Sequence, residues 1–164
     1  MIFITLGDPF SINIEILASS LSKLLSQGLN FGSKFPIVII GSLWQWEKQL
    51  AGLGFAPIKL RVLKFISRDI EPGFWFYDIK ASPVLASSYN STERGELAWS
   101  SLKILERFCL KKGDRVITCP VDKEVLASVG FAHVGQTEYF EYLAQKKALM
   151  LMCSPKLKVG LATT

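Results

Sequence analysis

Arg115-Val-Ile-Thr-Cys-Pro-Val-Asp-Lys-Glu-Val-Leu-Ala127 is the stretch that decides how the chain is read. Its opening run, Arg115 to Thr118, is rich in β-branched side chains and predicts a strand. Cys119-Pro120 closes that strand in a tight turn, and Asp122 is placed to cap a short helix reaching about Val129. Two later stretches extend the pattern. Gly135-Gln-Thr-Glu-Tyr-Phe-Glu141 puts polar side chains on a turn before a helix, and Val159-Gly-Leu-Ala-Thr-Thr164 is a strand that runs out at a polar end. In open α/β sheets ligands bind just beyond strand carboxyl ends, so the three stretches together read as half of a site.

Upstream, Ile2 to Leu6 predicts a buried strand closed by Gly7-Asp8-Pro9. Ile12, Ile16, Leu17, Leu21, Leu24 and Leu25 follow at helical spacing, with Ser11 or Asn13 as candidate N-cap and Gly28 as the stop. Ile37 to Gly41 predicts a second buried strand, and Ser42 caps a helix to about Ala51. Ile58 to Phe65 and Phe74 to Ile79 predict strands separated by Glu71-Pro72-Gly73. The polar loop Tyr89-Asn-Ser-Thr92 leads into a helix from about Glu93 to Leu110, whose Leu97, Ile104, Leu105 and Phe108 share one face. Downstream of Gly135, Thr137 is the candidate cap of a helix through Ala144. Ala148 to Cys153 and Lys158 to Ala162 predict two strands around Ser154-Pro155. The alternation predicts an α/β fold with a mixed, largely parallel sheet flanked by helices.

Composition narrows the function classes. The chain has 164 residues, 49% of them hydrophobic, and carries 19 basic against 14 acidic side chains for a net charge of +5. That much apolar surface implies a face that belongs against another segment or partner. The basic residues are scattered and not interleaved with aromatics, which argues against nucleic acid. No apolar stretch approaches the ~20 residues of a membrane span, and the amino terminus lacks a basic, signal-like region. Cys109, Cys119 and Cys153 are dispersed and odd in number, as expected of reduced thiols in a cytoplasmic protein. His133 is the single histidine, so no His-rich metal site can form within this chain.

Taken in order, the motifs resemble the amino-terminal half of the 4-hydroxythreonine-4-phosphate dehydrogenase family of pyridoxal phosphate biosynthesis. That family's Gly-Asp-Pro-Ala-Gly-Ile-Gly-Pro-Glu is similar to Gly7-Asp-Pro-Phe-Ser-Ile-Asn-Ile-Glu15. Its Thr-(Ala/Gly)-Pro-(Ile/Val)-(Asn/His)-Lys is matched by Thr118-Cys-Pro-Val-Asp-Lys123, its Gly-His-Thr-Glu by Gly135-Gln-Thr-Glu138, and its Val-Ala-Leu-Ala-Thr-Thr by Val159 to Thr164. Ser91-Thr-Glu-Arg-Gly95 sits where the family has a similar loop. The resemblance implies an incomplete fold of the isocitrate and isopropylmalate dehydrogenase type. Residues 1 to about 130 would form a first domain, and about 131 to 164 the start of a second. It also implies NAD-dependent oxidation and decarboxylation of 4-phosphohydroxy-L-threonine, a divalent metal (zinc, magnesium or cobalt), and a homodimer. The family's three metal-binding histidines all lie beyond the Ala-Thr-Thr strand, so neither metal nor NAD is expected on this chain alone. The resemblance assigns no catalytic residue to it.

Gln136 and Thr137 are the candidate substrate-binding residues. Their side chains can hydrogen-bond a phosphate or hydroxyl at a helix N-terminus, or Thr137 can serve simply as N-cap. Where the family has a substrate-contacting histidine, this chain has Gln136. Thr118, Lys123 and Thr164 are possible lining residues; Lys123 reads equally as a solvated first-turn lysine. Asp8 fits a turn that caps the next helix, His133 a loop residue, and Cys119 a small buried side chain. No Gly-x-Gly-x-x-Gly fingerprint is present. The histidine replacement and the altered first turn keep a second reading open, a non-catalytic α/β module that binds a phosphometabolite or is purely structural. Chain purified without chelator is expected to carry well under one equivalent of zinc by elemental analysis. A stoichiometric metal held by His133 would overturn this reading.

Overall fold

Near-continuous apolar runs in a chain of this kind are strands buried on both faces of a parallel sheet, and that is where they lie. The computed structural model describes residues 1–27, 34–58, 60–80, 90–108 and 110–161. It divides into two compact units, Met1–Phe131 and Ala132–Thr164.

In the first unit, β1 (Ile2–Thr5), β2 (Pro36–Gly41), β3 (Arg61–Leu63), β4 (Gly73–Asp78) and β5 (Arg115–Thr118) form one sheet in the order β3-β4-β2-β1-β5. Every pairing is parallel. β1 is an inner strand, with Ile4 beside Ile39 on one side and Ile117 on the other. Alternate side chains pack on opposite faces. Ile4, Ile37, Ile39 and Phe76 join Leu17, Ala18 and Trp46, from α1 (Asn13–Ser26) and α2 (Leu43–Gly52), in one core cluster. On the other face Phe3 and Tyr77 meet Phe108, with ring centroids 5.0 and 5.7 Å apart, at the end of α3 (Ser91–Arg107). β1 thus sends its crossover to β2 over one face, while the chain returns to β5 over the other. The point where the order reverses lies between β1 and β5.

α4 (Lys123–Ser128) follows β5 and packs on α3. Gly95 makes this packing possible, because a Cβ there would stand 2.4 Å from the Val125 carbonyl oxygen. In the second unit, α5 (Gln136–Ala144) precedes β6 (Met150–Cys153) and β7 (Lys158–Leu161), an antiparallel hairpin. Its turn is closed by Ser154, whose Oγ accepts from the Lys156 and Leu157 amides at 3.3 and 3.0 Å. Leu149, Leu151, Met152 and Leu157 of this segment are all exposed.

Several boundaries differ from the sequence expectation. The strand expected over Ile58 to Phe65 is reduced to Arg61–Leu63, the only part paired with β4 among the described residues. α1 starts after Ile12 with no side-chain cap, because Asn13 is inside the helix and its amide is turned toward other carbonyls. α5 starts after Gly135, so Thr137 is not its cap. α3 begins two residues before Glu93, because Asn90 and Glu93 form a reciprocal capping box. Ser42 and Asp122 cap α2 and α4 as expected. Gly28, Cys109, Ala162 and Thr164 lie outside the described residues.

Asp114 ties down the amino-terminal end of the sheet. Its carboxylate accepts from Arg68 at 2.7 and 3.1 Å, from the Lys111 amide at 2.7 Å and from the Met1 ammonium at 3.0 Å. Burial alone would raise its pKa, but these donors together hold it well below the usual carboxylate range. A depressed folded-state pKa adds stability that is present above the unfolded value and is lost as pH falls below it. Asp114→Asn is expected to lower the unfolding free energy at neutral pH by about 1–3 kcal/mol. It is also expected to flatten the loss of stability between about pH 4 and pH 2. Urea titrations of both proteins across that range check this.

Candidate functional site

The carboxyl ends of β1 and β5, on either side of the order reversal, are where an open α/β sheet offers a ligand crevice. Two turns meet there. Gly7 has φ +63°, and a Cβ on it would stand 2.5 Å from the Pro120 carbonyl oxygen, so the close approach of the turns requires glycine. The Asp8 amide donates to the Pro120 carbonyl at 3.2 Å, and the Cys119 amide to the Thr5 carbonyl at 3.0 Å. Asn13 completes the junction. Its Nδ2 donates to the carbonyls of Leu6 (2.9 Å), Asp8 (3.1 Å) and Pro120 (2.9 Å), and the residue is only 1% exposed.

Asp8 is the buried charge of this junction. Its Oδ1 accepts from the Phe10 amide at 2.9 Å and from Arg94 Nε at 3.1 Å. Arg94 also grips Oδ2 through its terminal nitrogen, making a two-point ion pair. The hydrogen bond to Asp8 is the main cause of an upward shift in the Arg94 pKa. The guanidinium lies 5.8 Å from the Phe10 ring centroid. Asp8 does form the expected turn, through the Phe10 amide, but it does not cap the next helix, because α1 starts after Ile12 without a side-chain cap and the carboxylate is taken up by Arg94 of α3.

Of the expected site residues in this unit, Thr118 ends β5 and Lys123 opens α4, so they flank the Cys119 to Asp122 turn. Thr118 is half-buried, and Lys123 is exposed. Asp122 accepts from the Glu124 and Val125 amides at 3.0 and 3.3 Å. Cys119 is buried, and desolvation pushes its thiol up to about 11. It is therefore no thiolate nucleophile near neutral pH.

In the second unit, Gln136 and Thr137 are the first two residues of α5, and Gly135 leaves the helix N-terminus without a side-chain cap. Gln136 Oε1 is buried and has no hydrogen-bond partner among the described residues. This start of a helix offers amide donors and one acceptor to a ligand. His133 packs against Tyr139 and Tyr142, with centroids 5.5 and 5.3 Å apart. Thr164 lies outside the described residues. Among them, no group of three or more His, Cys, Asp or Glu side chains could hold a metal ion.

Arg94, which the sequence left without a role, and Asn13, expected only as a candidate N-cap, are the residues whose contacts the sequence did not show. Arg94 had a signal. A cation at the start of a helix opposes the macrodipole, so an arginine directly after the Ser91-Thr-Glu run calls for a carboxylate partner. Asn13 had none, because its three acceptors come from two distant turns.

A sequence model of the family described as "Pyridoxal phosphate biosynthetic protein PdxA" matches residues 35–164. The chain is 34% identical over 166 aligned positions to a 4-hydroxythreonine-4-phosphate dehydrogenase of Sulfurihydrogenibium sp. (strain YO3AOP1), covering 98% of this chain and 48% of that protein. It is 31% identical to a D-threonate 4-phosphate dehydrogenase of Salmonella typhimurium, covering 95% of this chain and 48% of the relative. A crystal structure of 4-hydroxythreonine-4-phosphate dehydrogenase from Klebsiella pneumoniae superposes with a TM-score of 0.74 at 25% identity, covering 98% of this chain and 49% of that one. The chain spans about half the length of the relatives it matches.

Removing one member of a buried, hydrogen-bonded ion pair leaves an uncompensated charge. Arg94→Met is expected to destabilise the chain by about 2–3 kcal/mol, discounted for the partial exposure of the guanidinium. Asp8→Asn combined with Arg94→Met should recover part of that loss. Guanidinium unfolding of both variants checks this, and equal losses in the two would refute the assignment.

Proposed function

The chain belongs to the family of the pyridoxal phosphate biosynthetic protein PdxA, and from that premise we propose that it supplies the amino-terminal half of an NAD-dependent dehydrogenase. The substrate is 4-phosphohydroxy-L-threonine, which is oxidised at its secondary hydroxyl and then decarboxylated. The observation that carries the proposal is the family match over residues 35–164, which includes the Thr118 to Lys123 turn and the Gln136-Thr137 helix start. D-threonate 4-phosphate is a second candidate substrate, because a relative named for that activity matches nearly as much of the chain. By their names both compounds combine a phosphate, a secondary hydroxyl and a carboxylate, and they differ at the carbon next to the carboxylate.

In this reading Gln136 and Thr137 hold the substrate. The α5 amides and the Thr137 hydroxyl donate to phosphate or carboxylate oxygens, while the buried Gln136 Oε1 accepts from a hydroxyl or ammonium. A glutamine does not titrate, so this contact keeps one charge state across neutral pH, unlike a histidine in the same place. By the family resemblance Thr118, Lys123 and Thr164 are the possible lining residues, with Lys123 as a cation for phosphate. The remainder of the enzyme provides the divalent metal and the NAD contacts. The exposed apolar side chains of the β6–β7 segment support a face that is covered in a homodimer. Among the described residues no helix is long and apolar enough to cross a membrane; a cytoplasmic location is part of the same proposal. The Gln136 substitution and the altered first turn support the competing reading, a phosphometabolite-binding or structural module without catalysis.

NADH formation from each of the two substrates, with zinc, cobalt or magnesium added, separates these readings. The chain alone is expected to give no turnover above a buffer blank. Fused to the part of the Sulfurihydrogenibium relative that it does not match, it is expected to turn over 4-phosphohydroxy-L-threonine, and Thr137→Val should reduce kcat/KM at least tenfold. A correctly folded but inactive fusion would favour the non-catalytic module.

A further inference from the structure

α5 begins without the local support that fixes α2, α3 and α4. Ser42, Asn90 and Asp122 cap those helices through their side chains, whereas Gly135 has no side chain to cap α5. The first backbone bond of the helix, from the Tyr139 amide to the Gly135 carbonyl, spans 3.2 Å. Gln136 and Thr137 lie inside that first turn, so whatever fixes the turn also fixes them.

A helix start is often pinned by a staple, in which the residue just before the cap packs on the fourth residue of the helix. Val134 occupies the place before the cap and is 81% exposed, so it staples nothing. His133, one residue earlier, takes over the contact. Its ring centroid lies 5.5 Å from that of Tyr139, the fourth helical residue, and 5.3 Å from that of Tyr142, about one turn further on. Both are tilted packings of the kind aromatic rings favour, at 57 and 42°. Tyr139 is fully buried and gives the imidazole a fixed surface to bear on.

We propose that His133 is a positioning residue for the substrate-binding start of α5. Its ring holds the chain just ahead of Gly135 against the body of the helix, and so sets where Gln136 and Thr137 stand. It acts by ring contact and not by its proton, so another flat aromatic side chain can replace it. This role rests on the reading of Gln136 and Thr137 as the residues that hold the substrate. It gives the single histidine of the chain a task outside acid–base chemistry.

Hydrogen exchange and kinetics on His133→Ala and His133→Phe test it. In the ¹⁵N-labelled chain, His133→Ala is expected to speed exchange of the Tyr139 amide about tenfold, and His133→Phe to leave it within about twofold of the unsubstituted chain. Exchange in the β6–β7 hairpin should stay unchanged in both. In the fusion described above, His133→Ala should raise KM about tenfold and change kcat by less than about twofold, and His133→Phe should restore KM. The proposal is overturned if His133→Ala leaves the Tyr139 amide or KM unchanged, or if it speeds exchange in the hairpin equally. It is also overturned if His133→Phe behaves like His133→Ala, or if kcat falls while KM holds, which would mark a catalytic histidine. A fusion that is inactive with His133 in place counts against the dehydrogenase reading alone, and the exchange rates of the chain then decide whether His133 fixes this helix start.

Discussion

The side-chain amide of Asn13 is the contact on which the carboxyl edge of the sheet depends. A parallel sheet leaves the turns after its strands with carbonyls that the ladder does not satisfy, and a buried carbonyl without a donor is costly. One nitrogen with two hydrogens reaches three such oxygens, on Leu6, Asp8 and Pro120. That requires the turns after β1 and β5 to lie almost in contact, which Gly7 permits because it has no side chain and accepts a positive φ. Thr118, paired with Thr5 of β1, and the start of α4 lie on either side of this junction.

Charge is arranged around the same point. The Asp8 carboxylate is withdrawn from water and is held by one backbone amide and by Arg94. Arg94 is itself at a helix start, where the dipole disfavours a cation, so each member of the pair removes the other's penalty. The pair also anchors α3 over the β1 turn. Gly95, the next residue, lets α4 close on α3. One short segment, Asn90 to Gly95, therefore combines a capping box, a buried ion pair and a helix crossing.

Much of this was legible in the residues. The strands β1 and β2 are apolar runs ended by turn residues, and buried parallel strands have that composition; β4 and β5 gave the same signal, although β5 lies at the sheet edge with Ile117 exposed. The α3 face was visible at helical spacing. Ser42 and Asp122 were readable as caps because a cap bonds backbone amides two or three residues ahead, within the local sequence. Ser11, Asn13 and Thr137 have the same chemistry and failed as caps. Asn13 found better acceptors far away, and Gly135 took the place ahead of α5. β3 was overextended because its apolar residues continue beyond the three that find partners on β4.

Residue types and spacing alone determined the α/β class, the strand–turn–helix units and the polar turns at Thr118 to Lys123 and at Gln136-Thr137. Those features arise from interactions between residues close in sequence, whose geometry the chain carries with it. Tertiary structure alone decided the strand order, the meeting of the Gly7 and Pro120 turns, and the pairing of Asp8 with Arg94 across 86 residues. It also decided the placement of the last two strands in a hairpin of their own. A carboxylate, a guanidinium or an amide has many possible partners along a chain, and only the packing of the apolar faces on the sheet selects the one within reach.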